Sequence, residues 1–305
     1  MSMVIKDNSE LFSTLGIYNK NADAMHKSIL RIASGMKINS AADDPSGLSI
    51  TDRMRERIRS LDQANQNAQN DNSLMRTAEG ALNNTVDILK TLRERAINSA
   101  NDANTDQERA IIQKEVQQFL WQIDNNATTT TFNGQKLLDG TWEEEGLNFH
   151  IGGEANFAVT LKMQNMTVSA LGLSELDLST REGAMKALGV YDEEQGKYVN
   201  YITVTDEETG EEVRQYGLLD TALNKVLDQL GSIGAMEERL GFTRDILTET
   251  SGNLQAAEAG ILDSDVAAEM TNFVKYNILN QAAQYMLAQQ NQISATVVDL
   301  LKPTV

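Results

Sequence analysis

From Leu11 the chain sets an apolar residue at alternating steps of four and three: Leu11, Leu15, Tyr18, Ala22, Met25, Ile29, Ile32 and Met36. That spacing winds onto one face of an α-helix and is the a/d seam of a coiled coil. The stripe stops at Asn39–Gly47, where Pro45 has no amide hydrogen and Gly47 relaxes the backbone, so the helix is expected to break there. Beyond the break, every seventh residue from Met54 (Leu61, Ala68, Met75, Leu82, Leu89 and Ala96) is again apolar. The companion position reads Ile58, Asn65, Asn72, Glu79, Val86, Arg93 and Ala100, and turns polar part-way. A continuous helix from about Ser49 to Ala100 would extend roughly 80 Å at ~1.5 Å per residue. A third helix is expected after the capping residues Asn104-Thr105-Asp106. Ile112, Val116, Phe119 and Ile123 share one face, with Trp121 packing beside them.

The C-terminal third is built of the same material. Steps of seven from Leu219 give Val226, Ile233, Leu240, Leu247, Leu254 and Ile261. Asp263–Asp265 then breaks the helix, and Ser264 or Asp265 can cap the next one. In that last helix Leu279, Ala283, Met286, Gln290, Ile293, Val297 and Leu300 form another four–three stripe, which Pro303 ends. Between the two ends the period falls to two. Asn133-Gly134 signals a tight hairpin turn, Leu147–Gly153 and Asn156–Met163 alternate as half-buried strands do, and a strand pair, Tyr198–Val204 and Glu211–Gly217, flanks Asp206–Gly210. The expected fold class is therefore mainly α. A long antiparallel coiled-coil bundle is drawn from both termini, with a β-hairpin and a small β-rich acidic module in the middle. A stripe of this kind must meet another helix, either from the other end of the chain or from a second copy. An intramolecular bundle and a helical filament of non-closing contacts both satisfy that pattern.

Charge narrows the function. Among 305 residues, 26 basic and 44 acidic side chains leave a net −18. Residues 139–216 alone hold 16 acidic and 5 basic, or −11. Without a basic face to neutralise phosphates, nucleic acid is not an expected partner. No apolar run approaches the ~20 residues that span a bilayer, so membrane insertion is not expected either. Lys6, Asp7 and Glu10 occupy the stretch where a signal peptide would carry its apolar segment, so export without a cleaved signal is the expectation.

Cysteine is absent, which removes thiolate metal sites, disulfides and a cysteine nucleophile. Of the two histidines, His26 sits among solvent-type helix positions and His150 on the polar side of a strand. There is no HExxH, no Gly-rich phosphate loop and no GxSxG. Asp43-Asp44 beside Pro45-Ser46-Gly47 reads as helix capping. The Asp206–Glu212 loop lacks the spacing of an EF-hand and reads as a solvated acidic hairpin. Asn126-Ala127-Thr128 and Asn165-Met166-Thr167 match N-glycosylation triplets but are discounted in the absence of a secretory signal. Thr203, Thr205 and Thr209 have the chemistry to accept O-glycans. No catalytic set, cofactor or metal is expected.

Several longer motifs carry a resemblance. Arg31–Ile50 (RIASGMKINSAADDPSGLSI), Ser60–Asn70, Ala78–Asn84, Glu94–Asp102 and Thr131–Gly140 resemble the N-terminal region of bacterial flagellins. Ala256–Met270, Asn277–Gln292 and Val297–Leu301 resemble their C-terminal signature, in collinear order. The resemblance implies a non-enzymatic subunit that self-assembles into the extracellular flagellar filament for motility. Residues 1–45 and 264–305 would pair as the inner tube. Residues 46–180 and 218–263 would form the surrounding wall with its hairpin, and 181–217 a small acidic outer module. Implied partners are further copies of the chain, an export chaperone on the C-terminal helix, the flagellar export apparatus, and the filament cap and junction proteins.

Toll-like receptor 5 reads flagellins through an arginine, a leucine and a glutamate. By local motif these positions are Thr91, Arg95 and Glu115 here, so weak activation is implied. The sequence departs from the family pattern at Gly260-Ile261-Leu262-Asp263-Ser264-Asp265, which lacks two usual arginines, and at Gln289–Thr296, which lacks a usual proline. The alternatives from other classes are the hook–filament junction protein, a secreted enzyme on a flagellin-like scaffold, and an intracellular coiled-coil scaffold.

Overall fold

The computed structural model describes residues 9–192, 197–205 and 212–300, with side chains omitted at 9, 203–205, 212–214, 294–295 and 297–300. Helices α1 (Ser9–Ser34), α2 (Pro45–Ser99), α3 (Asp106–Thr129), α4 (Arg181–Leu188), α5 (Leu218–Leu262) and α6 (Val266–Leu300) carry most of the chain. Among the described residues, four two-stranded antiparallel sheets lie between α3 and α5: β1 (Thr131–Phe132) with β2 (Gln135–Lys136), β3 (Leu147–His150) with β4 (Ala158–Leu161), β5 (Val190–Asp192) with β6 (Lys197–Val199), and β7 (Tyr201–Thr205) with β8 (Glu212–Tyr216). The chain divides into two compact units, Met1–Arg59 with Ser251–Val305 and Ser60–Thr250. The division falls inside α2 and α5.

The helix ends follow the local chemistry of the sequence. Asp44 Oδ1 accepts from the amides of Ser46 and Gly47, and Pro45 stands at the first helical position of α2, where its missing amide hydrogen is no loss. Asp43 instead ties the preceding turn, accepting from the amides of Asn39 and Ser40 and from the Ser40 hydroxyl. Thr105 and Glu108 form a reciprocal capping box at α3. Of the two expected candidates at α6, Asp265 is the cap, accepting from Ala267 and Ala268. Asn133 (φ 49°) and Gly134 (φ 80°) both take the left-handed conformation that a tight primed hairpin turn requires. Tyr198–Val204, expected as one strand, is divided between β6 and β7, which pair with different partners.

In the first unit, α1 lies antiparallel to α6. A main-chain bracket closes the pair: the Lys37 amide donates to Leu262, the Ser264 amide donates to Gly35, and Met36 bridges Asp263. Gly35 reaches this position with φ 71°. Arg31 pairs with Glu269 at 3.1 Å, and Arg55 with Glu258 at 2.5 Å.

In the second unit, α2, α3 and α5 share one core. Met75, Leu82, Leu89 and Leu92 of α2, Val116 and Ile123 of α3, and Val226, Ile233 and Leu240 of α5 are all buried in it. The expected heptad of α2 is there, and its expected companion is buried at Ile58 and Val86, but at most other turns the position three residues on is the more buried. Ala64, Ala78, Thr85, Leu92 and Ser99 are buried, whereas Asn65, Asn72 and Glu79 are half-buried and Arg93 is exposed. Small side chains at this place let helices approach closely. In α5, Leu247 is buried, while Leu254 and Ile261 are half-buried and Leu262 takes the buried place. Trp121, expected in the core, is 63% exposed. One residue beyond Leu120 and two short of Ile123, it turns away from the face those two bury.

Residues 137–178 cover this core with little regular structure, and side chains stand in for the missing sheet partners. Gln113 donates through Nε2 to the Leu176 carbonyl and accepts through Oε1 from the Leu178 amide. Gln229 treats Lys162 and Gln164 the same way. The Ser99 hydroxyl donates to the Leu178 carbonyl at 2.6 Å. None of these long-range pairings has a signature in the sequence. Gln113→Ala removes one such bracket and leaves two backbone groups without partners, and is expected to destabilise the unit by about 1–3 kcal/mol in denaturant titrations. Ile233→Ala is expected to cost about 2–5 kcal/mol by opening a cavity in the core.

Two carboxyls in this unit are held against water. Asp71 Oδ2 is buried with no hydrogen-bond partner, and desolvation pushes the Asp71 carboxyl up to about 6. Glu237 shifts the same way through burial and the nearby Glu79, against an opposing pull from Arg76. A carboxyl raised in the folded state binds its proton more tightly there than in the unfolded chain. Its contribution is therefore favourable at and below about pH 4 and is lost as pH rises through about 6. Asp71→Asn is expected to raise the melting temperature at pH 7 and leave it nearly unchanged at pH 4, as thermal melts at the two pH values would show.

Candidate assembly surfaces

On α1 the half of the stripe at Leu11, Tyr18, Met25 and Ile32 is half-buried, together with Ala22 and Met36. Leu15 and Ile29 are exposed, and the chain's own packing favours the smaller polar residues on the other side of the seam. Thr14 and Asn21 are half-buried, and Ser28 is buried. Phe12, Ile17 and Leu30 add to the exposed apolar surface, Phe12 at 69%.

α6 behaves in the same way. Its expected stripe overlaps a second one, and the second is the one turned inward: Glu269, Phe273, Tyr276, Asn280, Ala283, Leu287 and Gln290 are buried or half-buried at steps of four and three. Ala283 and Gln290 belong to both stripes. Leu279, Met286 and Ile293 of the expected stripe are exposed, Met286 at 57%, in company with Val266, Met270, Val274, Ile278 and Tyr285. The side chains of Val297 and Leu300 lie outside the described residues, as do Pro303 and most of the Asp206–Glu212 loop with Thr209; the side chains of Thr203 and Thr205 are likewise not described.

The inward face of α6 is notably polar. Asn280 Oδ1, Gln290 Oε1 and Glu269 Oε2 are buried without hydrogen-bond partners. Leaving such groups unmatched costs about 1–3 kcal/mol each, so the pair is held less firmly than an apolar seam of equal length. The contact thus mixes apolar side chains (Tyr18, Met25, Ile32, Phe273, Tyr276 and Leu287) with polar ones, while Leu15, Ile29, Leu279, Met286 and Ile293 stay outside it.

The remaining expected positions lie in the second unit. Leu61, Met75, Leu82, Leu89, Val226, Ile233, Leu240 and Leu247 are buried core residues. Arg95 and Glu115 meet in an ion pair at 2.9 Å, with both side chains about two-fifths exposed. Thr91 bonds back to the carbonyl of Asp87 within its own helix. His26 and His150 are exposed. No cluster of metal-ligating side chains occurs among the described residues, and no helix among them is long and apolar enough to cross a membrane.

Residues 5–143 match the bacterial flagellin N-terminal helical region, and residues 216–301 match the bacterial flagellin C-terminal helical region. Flagellin of Bacillus subtilis is 37% identical over 311 aligned residues, covering 98% of this chain and 100% of that protein. The flagellar filament 33 kDa core protein of Treponema phagedenis is 35% identical over 309 residues, again 98% and 100% of the two chains. A solved structure assigned as a flagellar hook-associated protein of Vibrio parahaemolyticus shares the fold, with a TM-score of 0.54 at 14% identity over 72% of this chain and 100% of that one. Unpartnered apolar faces on the terminal helices, the helical core between them, and relatives matched from end to end all converge, and the chain belongs to the bacterial flagellin family.

Proposed function

We propose that this structural subunit of the flagellar filament assembles through the outward faces of α1 and α6. Leu15, Ile29, Leu279, Met286 and Ile293 supply contacts to neighbouring copies, and Val297 and Leu300 continue the same stripe. The observation that carries this reading is the exposure of large apolar side chains on both helices (Phe12, Leu15 and Ile29; Leu279, Met286 and Ile293) while each helix is already paired with the other. A face of that kind in water favours association, and non-closing contacts between identical copies extend into a helix. In this reading residues 1–45 with 264–305 line the tube and residues 46–180 with 218–263 form the wall. An export chaperone covers α6 until the chain passes through the export apparatus to the cap and junction proteins at the growing filament.

Electron microscopy of the purified chain after seeding or salting-out is expected to show long uniform tubes. A chain lacking residues 281–305, or one lacking 1–45, is expected to remain soluble and unpolymerised. Normal filaments from either shortened chain would overturn the reading.

Thr91, Arg95 and Glu115 make a poor site for Toll-like receptor 5. The ion pair supports this: Arg95 already engages the one family side chain that is kept, so Glu115 must break a contact before it can make another. The threonine offers no guanidinium, and arginine anchors dominate interfaces of this kind. Thr91→Arg with Arg95→Leu is expected to raise receptor activation in a cell reporter assay by about tenfold or more, the change expected from one recovered anchor. Unchanged potency in the double variant, or full potency in the parent chain, would refute it.

A further inference from the structure

A cleft of about 480 Å³ opens between the end of α4, the β5–β6 hairpin and the residues that lead from β8 into α5. Its size falls within the range of small-molecule sites, about 300–1,000 Å³. Three tyrosines line it. Tyr191 and Tyr198 are direct cross-strand partners, with ring centroids 5.2 Å apart and planes at 67°. Tyr216 comes from β8 and leans on Tyr201 outside the cleft. Tyr191 is 51% exposed, and Tyr198 and Tyr216 are half-buried, so ring surface remains open to a ligand.

Glu182 and Lys186, one turn apart on α4 and both exposed, face the cleft together with Gln215. The floor is rigid main chain. A Cβ on Gly217 would stand 2.5 Å from the Leu188 carbonyl carbon and 2.6 Å from the Gly189 nitrogen, and a Cβ on Gly189 would collide with the Val199 carbonyl oxygen. Two backbone segments cross there with no room for side chains, which holds the lining residues in place.

The lining selects a ligand by elimination. One carboxylate and one ammonium make its formal charge zero, so neither an anion nor a cation is favoured outright, although residues 139–216 as a whole are strongly acidic. Three phenol hydroxyls, an amide, a carboxylate and an ammonium leave many hydrogen-bonding groups, which a purely apolar ligand would desolvate without matching. A neutral ligand with one apolar face and a rim of hydroxyls meets both demands. Its C–H face lies on a tyrosine ring, and its hydroxyls bond to Glu182, Lys186 and Gln215. We propose that this cleft binds a neutral saccharide.

Saturation-transfer NMR on the monomeric full chain tests this without relying on assembly. The probes are maltotriose, cellotriose, N-acetyllactosamine and diacetylchitobiose, with choline and inorganic phosphate as charged competitors. At least one neutral sugar is expected to bind with its ring protons saturated. Tyr191→Ala is expected to weaken that binding by about tenfold or more, and Tyr191→Phe by less than about threefold, because the ring is kept. Lys186→Ala weakens it as well, without altering the hairpin. Trp121→Ala removes an exposed aromatic elsewhere and leaves binding unchanged. Presenting the same sugars free and coupled to a carrier protein distinguishes a dissolved saccharide from a glycoconjugate as the source. Three results would overturn the proposal: no saturation from any of the four sugars at millimolar concentration, displacement of a bound sugar by choline or phosphate, or equal affinity in Tyr191→Ala with an unchanged circular dichroism spectrum.

Discussion

A helix with two overlapping stripes can bury only one of them against a single partner. That constraint organises both ends of this chain. In α1 the shared positions Leu11, Tyr18, Met25 and Ile32 can be completed by Leu15 and Ile29 on one side or by Thr14, Asn21 and Ser28 on the other, and the fold uses the second set. In α6 the inward stripe includes Glu269, Asn280 and Gln290, and the outward one includes Leu279, Met286 and Ile293. The intramolecular contact keeps Leu11, Tyr18, Met25 and Ile32 of α1 and Phe273, Tyr276 and Leu287 of α6, sets small or polar side chains beside them, and leaves Leu15, Ile29, Leu279, Met286 and Ile293 outward. The contrast with α2 is instructive. There the same choice of the third residue rather than the fourth sends Asn65, Asn72 and Glu79 to the edge of the seam, which water tolerates.

Register between the two ends is fixed by short main-chain hydrogen bonds rather than by the long stripes. Lys37 to Leu262 and Ser264 to Gly35 join the turn after α1 to the turn before α6. A stripe with a seven-residue period is nearly satisfied by a one-heptad slip, whereas a bracket that needs Gly35 in the left-handed region accepts only one alignment. The unmatched oxygens of Asn280 and Gln290 act in the same direction. A polar atom buried in a helix seam lowers stability while penalising alternative alignments that bury it less well.

The second unit faces a different difficulty, because a long segment without regular structure must cover a helical core and still satisfy its own backbone. Gln113 and Gln229 meet that need, since a side-chain amide offers a donor and an acceptor side by side, as a neighbouring strand would. The same segment leads to α4, whose Ala184 and Ala187 join the common core while Glu182 and Lys186 remain outside. The tyrosine-lined cleft follows from this division, with one face of α4 anchored and the other free to line a site.

By itself the sequence determined the elements: the helices, their breaks at Asn39–Gly47 and Asp263–Asp265, the places of their caps at Asp43-Asp44, Asn104–Asp106 and Ser264-Asp265, and the Asn133-Gly134 hairpin. It also carried the family, through motifs spread over both ends. All of these depend on interactions within a few residues, or on seven-residue periods that survive any arrangement in space. Only the tertiary structure decided which of two overlapping stripes each terminal helix buries, where Trp121 points, how Tyr198–Val204 divides between two hairpins, and that Arg95 holds Glu115. Those outcomes depend on which surfaces distant segments present to each other. Positions three and four residues on lie almost equally near a seam, so a periodic pattern cannot choose between them; the side chain across the seam does.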